Sequence, residues 1–391
     1  MDEYDKFGRL SEREYYIETM YGDIRYTQTE SREYHIGKSA GKTSGALKKV
    51  NSWGALGDFT YEYSYDKNGN ITQYTENGVT RSYTYDSLNR LESETVNGVT
   101  TTYAYDNGGN RTHKTVNGKT QNYVYESDRL TSWNGKTFVY DEKGYPTTYK
   151  SKSMTWRMGR LTSYDGNTYE YDAKNVRRQK VKNGVTTKYY YDGTRLLSEK
   201  RGEVITRYLY NHEGIVGMVH DGAVYTYLKN PQGDIIGIYD YYGIECARYS
   251  YDAWGNCTID LDVDDIGTLN PFRYRSYYYD AETGLYYLIN RYYDPELGRF
   301  ISPDHIGYMT EQMESINGCN LYAYCLNNPI MGVDPEGTFF FTFFTTIISG
   351  ALGMITSFIS DIFDGGDFNP IKSIIKGAAA GATAGFILGL T

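Results

Sequence analysis

The sequence predicts a mainly β fold: a long continuous antiparallel sheet of stacked hairpins, followed by an α-helical hydrophobic tail. Three observations lead there. Tyr-Asp pairs recur at a spacing of 20 residues, Asn-Gly pairs punctuate the intervals between them, and the chain turns apolar after Gly337. Composition agrees. There are 45 Tyr against 14 Phe and 8 Pro, and 42 Gly. Tyr and Thr favour pleated, half-buried surfaces, while Gly, Asn and Asp supply turns.

Tyr65-Asp66, Tyr85-Asp86 and Tyr105-Asp106 set the period, and Tyr125-Glu126 keeps the register. Each unit opens with an alternating strand, as in Tyr61-Glu62-Tyr63-Ser64-Tyr65, and continues with a turn, as in Lys67-Asn68-Gly69-Asn70. A second strand then leads to Asn77-Gly78, Asn97-Gly98 or Asn117-Gly118. Asn-Gly between alternating segments marks a type I′ hairpin, because both central residues need φ > 0. Later units at Tyr140-Asp141, Tyr171-Asp172, Tyr191-Asp192, Tyr239-Asp240 and Tyr251-Asp252 keep the pair and lose the period. A lone hairpin is marginal in water, so the units must stack on one another. In Tyr83-Thr84-Tyr85 and Tyr103-Ala104-Tyr105 the tyrosines share one face. Cross-strand aromatic pairing, with Asp accepting turn hydrogen bonds, explains that spacing. The functional alternative is a tyrosine-lined surface for sugars or a peptide.

The net charge of −9 argues against nucleic acid as a main partner, since phosphate neutralisation needs a basic face. Cys246, Cys257, Cys319 and Cys325 form no C-x2-C pair and the five His are scattered, so no metal and no cofactor are expected. Neither a nucleophile elbow, a P-loop, a dinucleotide fingerprint nor HExxH is present, and no turnover enzyme is expected. Met1 to Arg25 is charged and lacks the apolar core of a signal peptide. The opening instead resembles the interior of a repeat, Tyr4-Asp5 followed by Gly8-Arg9-Leu10, as in a fragment of a longer product exported by an upstream signal.

The array resembles the YD repeats of the Rhs, wall-associated and teneurin proteins over residues 55 to 337. That resemblance implies a YD-repeat β-shell, a coiled antiparallel β-sheet that is incomplete if the repeats are too few to close a cocoon. Residues 1–54 are then a degenerate or partial repeat region, 55–269 the YD repeats, 270–337 a core segment and 338–391 a variable tail. From Asn270 the text becomes NPFRYRSYYYDAETGLYYLINRYYDPELGRFISPD and, from Asn320, NLYAYCLNNPIMGVDPEG, which is similar to the Rhs repeat-associated core. Asp280 to Leu285 is expected as a turn, Tyr286 to Tyr293 as one alternating strand, and Tyr293 to Phe300 as a second turn and strand.

In the relatives this core seals one end of the shell, and in several it cuts the chain just beyond its last Asp-Pro-x-Gly through an aspartyl-protease-like site. The matching positions are Asp304 and Asp334, with Arg299 as a nearby cation and the cut near Thr338-Phe339. Two carboxyls brought together cannot both ionise easily, so one keeps a proton while the other activates water. An arginine beside them holds the pair or polarises the scissile carbonyl. The chain departs from that pattern at His305, where relatives often carry Pro, and at Thr338, where those that cut usually carry Leu. The plain alternative is that Asp304 and Asp334 only cap turns.

Phe339 to Ser360 is 22 residues without charge, long enough to span a bilayer as a helix. A second apolar stretch, Ile371 to Thr391, places Gly377, Gly381, Gly385 and Gly389 on nearly one helical face, a surface for close helix approach in lipid. In a water-soluble helix each of those glycines costs up to about 1 kcal/mol relative to Ala. Buried helices inside the shell are the alternative to a membrane-active hairpin.

The leading functional expectation is a polymorphic-toxin type shell that encloses or presents a membrane-active C-terminal effector. Its partners are then its own tail, a membrane and an immunity or secretion protein. The alternatives are a cell-surface or wall-associated adhesion or carbohydrate-binding protein anchored by the tail, and a self-cleaving aspartyl autoprotease. All of these place the chain outside the cell, at its surface or at a membrane.

Overall fold

The computed structural model describes residues 2–6, 9–18, 24–36, 43–54, 56–211, 214–304, 320–338 and 341–342. They fall into two compact units, one of residues up to 82 with 341–342, the other of residues 83–340. In the first, the strands Leu10–Glu18, Ile24–Ile36, Thr43–Gly54, Phe59–Tyr65 and Ile71–Glu76 follow one another, each antiparallel to the last. Val50, Tyr61, Tyr63, Ile71 and Tyr74 are buried between them. The stretch expected as a degenerate repeat thus forms strands longer than those of the regular units. In the second unit the same meander runs from Leu91–Val96 to Lys136–Thr137, and then through fourteen described strands from Val139–Tyr140 to Cys257–Asp262.

Local chemistry sets each turn. Asn97 and Gly98 take φ of 49° and 76°, and close the hairpin between Leu91–Val96 and Val99–Tyr105. Asn183 and Gly184, at 49° and 78°, do the same for Arg177–Lys182 and Val185–Asp192. The Tyr-Asp turn is built by its carboxylate. Asp172 Oδ1 accepts the amides of Lys174 and Val176, both at 2.9 Å, and Oδ2 accepts Arg178 Nε at 2.8 Å. Removing that acceptor strands two amides and a guanidinium, so Asp172→Ala should lower the unfolding free energy by about 1–3 kcal/mol, read as a lower urea midpoint at unchanged m.

The tyrosines hold the stack. Tyr103, Tyr123, Tyr169, Tyr189, Tyr208, Tyr227 and Tyr249 are each 5 % exposed or less, which closes that ladder to a solvent ligand. The second tyrosine of a unit reaches back to a carbonyl of an earlier strand: Tyr105 Oη to Leu91 O at 2.8 Å, Tyr210 to Leu196 at 2.8 Å and Tyr251 to Ile235 at 2.6 Å. Opposite the second tyrosine, across the turn, stands a buried plug residue: Leu130 faces Tyr125, Leu196 faces Tyr191 and Ile215 faces Tyr210. Two of these places hold arginine, Arg111 facing Tyr105 and Arg177 facing Tyr171.

The core segment forms a four-stranded sheet of Tyr278–Asp280, Leu285–Leu288, Arg291–Asp294 and Arg299–Phe300. The single strand expected over Tyr286 to Tyr293 is broken in two by a tight turn at Ile289-Asn290. Ile289 takes φ of 56°, and the Asn290 amide donates to Leu288 O at 2.5 Å. A β-branched residue is strongly disfavoured there, and no Gly or Pro announces the turn. The segment is tied to the repeats by Arg177, which is fully buried and ion-paired with the equally buried Asp280. Lys180 Nζ reaches Asp280 at 2.8 Å and Glu282 at 2.7 Å. In the tail, Phe341–Thr342 is extended where a helix was expected. The rest of the apolar stretch, with Gly377, Gly381, Gly385 and Gly389, lies outside the described residues. No helix among the described residues is long and apolar enough to cross a membrane.

Candidate functional site

The turn at Ile289-Asn290 delivers Arg291 at the start of a strand, with its guanidinium over the Phe300 ring, 3.6 Å from the centroid. Its Nη2 lies 2.9 Å from Asp304 Oδ2 and 3.3 Å from Asp334 Oδ2. Nη1 donates to Leu321 O at 3.1 Å, and Nε donates to the Gly337 carbonyl. One buried guanidinium therefore bridges both carboxylates and the carbonyl that follows the Asp-Pro-Glu-Gly turn.

Asp334 organises that turn. Its Oδ1 accepts the amides of Gly337 at 2.8 Å and Thr338 at 3.0 Å, and its own amide donates to Tyr277 Oη at 3.0 Å. The Asn290 amide and Nδ2 both donate to Glu336 O at 3.1 Å, and Arg160 holds Asn290 through its carbonyl at 3.0 Å and Oδ1 at 3.2 Å. Gly337 has φ of 74°, and a Cβ there would stand 3.0 Å from Leu288 O, so any side chain would be both strained and crowded. The Gly337–Thr338 peptide is thus held at both ends, its carbonyl by Arg291 and its N–H by Asp334.

Asp334 is 2 % exposed. Burial pushes its carboxyl up to about 6, the neighbouring Asp304 adds to the rise, and Arg291 and the two amides oppose it. Asp304 is more open, its side chain 17 % exposed, with its amide bound to Leu321 O at 2.9 Å. A carboxyl that gives up its proton only near pH 6, beside a more solvated one, is an arrangement suited to general acid–base work.

Of the residues singled out from the sequence, Asp304 and Asp334 are brought together, and Thr338 stands beside them. Arg299 is not. It sits one strand over, donates from Nη2 to Asp128 O at 2.5 Å, and stacks on Tyr322 and Tyr125 at 4.7 and 5.2 Å. The cation between the carboxylates is Arg291, and the residue that steadies the turn is Asn290. Neither carries a motif in the sequence. The one hint was a charged residue inside a tyrosine-rich alternating run. His305 lies outside the described residues.

A family model described as Teneurin YD-shell matches residues 3–330. The tRNA3(Ser)-specific nuclease WapA of Bacillus spizizenii is 38 % identical over 223 residues, 54 % of this chain and 9 % of that protein. The double-stranded DNA deaminase toxin A of Burkholderia cenocepacia is 30 % identical over 173 residues, 39 % of this chain and 12 % of that one. Among solved structures, TcdB2-TccC3-Cdc42 superposes with a TM-score of 0.64 at 18 % identity, covering 84 % of this chain and 19 % of the other, a likeness of fold. The chain spans about a tenth of the length of each of these two curated relatives.

Proposed function

The chain belongs to the teneurin YD-shell family, and from that footing we propose that it is a carrier: an Rhs-type β-shell that presents the polypeptide after its core and frees it by one cleavage in cis at Gly337–Thr338. The observation that carries this reading is the peptide bond held at both ends between two carboxyls and a guanidinium. Support for the carrier role comes from the relatives. By their names, one is a tRNA nuclease and another a DNA deaminase toxin, and each shares only a segment with this chain.

The chemistry balances within the site. Asp304, ionised, takes a proton from water as the water oxygen bonds to the Gly337 carbonyl carbon. Arg291 Nε stabilises the oxyanion that develops there. Asp334, protonated, gives its proton to the Thr338 nitrogen as the C–N bond breaks. The products are the Gly337 carboxyl and the Thr338 amine, and the pair still shares one proton. The reaction happens once per chain, so it requires no substrate pocket.

In this reading residues 338–391 are the cargo, exported with the shell, acting at a membrane and countered by an immunity protein. Intact mass of the purified chain tests the cleavage. The expected result is one fragment ending at Gly337 and one beginning at Thr338, with Asp304→Asn and Asp334→Asn each leaving a full-length chain. A cut one bond later, at Thr338-Phe339, would keep the cleavage and overturn the assigned bond. A wild-type chain that stays whole under folding conditions would return both aspartates to turn-capping.

A further inference from the structure

Arg111 and Arg177 occupy the same place in their repeats, five residues after the turn aspartate, where Ile71 and Leu91 stand in the first two units. Both are enclosed by aromatic rings. Arg177 lies over Tyr287 at 4.3 Å and Tyr189 at 4.9 Å, and Arg111 over Trp254 at 3.9 Å and Tyr103 at 4.8 Å. They differ in one respect. Arg177 receives the buried carboxylate of Asp280, with Nη2 at 3.1 Å from Oδ1. Arg111 is 4 % exposed, yet it forms no ion pair with a carboxylate among the described residues, and the hydroxyls of Tyr105 and Tyr123 are the polar groups that face its guanidinium. Aromatic faces and neutral phenols attract a cation but do not balance its charge, and a buried charge without a counter-charge is costly.

A cavity of about 10 Å³ lies beside it, room for one sphere of about water size. Arg111 and Arg299 line it, with Asn110, Asn320, Asn327 and Tyr125, and no carboxylate does. Asp106 and Asp128 stand behind Asn110 and are already engaged. Asn110 Nδ2 donates to Asp106 Oδ2 at 3.1 Å and to Asp128 Oδ1 at 3.2 Å.

We infer that this cavity binds a monatomic anion of chloride size, which does for Arg111 what Asp280 does for Arg177. The ligand is a structural counter-ion independent of any cleavage at Gly337. It would lock the Arg111 turn against the segment around Asn320 and Asn327, whose amides already reach Gly108 O at 3.1 Å and Gly109 O at 2.8 Å.

The test uses the full chain and sodium chloride against sodium gluconate at matched ionic strength. Chloride should raise Tm on the order of 2 °C more than gluconate and saturate, because only the folded state holds the ion. It should also broaden the chloride-35 resonance in proportion to protein. Arg111→Leu, which installs the residue of the neighbouring repeat and is therefore expected to fold, should abolish both effects. Identical thermal curves in the two salts, with no line broadening, would mean that water alone fills the cavity and would overturn the inference. So would a chloride effect of full size in folded Arg111→Leu.

Discussion

Arg291→Met should leave the purified chain at full length for at least about a hundred times longer than wild type, the usual cost of losing an oxyanion donor. The variant removes the donor to the Gly337 carbonyl and the bridge between Asp304 and Asp334 in one step. Arg299→Lys is the matched control. It disturbs the contact with Asp128 O and is expected to lower stability while leaving cleavage of the folded chain unchanged. The pH profile separates chemistry from simple loss of structure. Asp334 is raised to about 6 in the fold, above its usual carboxylate value of 3.8. As the proton donor it should support a rate that falls about tenfold per pH unit above 6, as the protonated fraction falls. Linkage has the same sign. A carboxyl raised on folding contributes stability that is fully present below the unfolded value and is lost as pH rises through about 6. Single-turnover cleavage between pH 5 and 8, followed by intact mass, checks the profile. A rate that climbs steadily with pH would remove Asp334 from the acid role.

Asp280→Ala should destabilise the second unit by about 3–5 kcal/mol, the largest stability effect expected of a single change here, because it leaves Arg177 charged, buried and unpaired. Asp280 is fully buried. Burial alone would raise its carboxyl, but Arg177 and then Lys180 outweigh that and hold it below the usual range. Its contribution is therefore present above the usual carboxylate value and is lost as pH falls through the lowered folded value. The double variant Arg177→Leu with Asp280→Leu should recover most of the loss. It removes both charges, keeps Lys180 paired with Glu282, and returns an apolar plug to the place where other repeats carry Leu or Ile. Urea unfolding of the two variants checks this. If the double variant is as unstable as the single one, the orphaned Arg177 charge is not the source of the loss.

The strands, their order and their turns could be read from the sequence because each is settled within about one repeat. Asn97-Gly98 needs only its own two positive φ values, and Asp172 builds its turn from amides two and four residues on. The burial of Tyr103 and Tyr123 follows from period-two alternation. Asp304 and Asp334 were legible through their motifs. The turn at Ile289-Asn290 was not, since a β-branched residue at positive φ contradicts local preference and persists only where packing imposes it. Arg291 and Arg299 lie close together in one tyrosine-rich run, and nothing local says which will meet the carboxylates. That was decided when the segment ending in Gly337 packed onto Arg291 from 46 residues away, placing Asp334 and the Gly337 carbonyl on one guanidinium and leaving Arg299 to Asp128. Short-range hydrogen bonds and alternation are encoded residue by residue. The site depends on which side chains the stacked sheet and the core segment bring together, and only the tertiary structure specifies that.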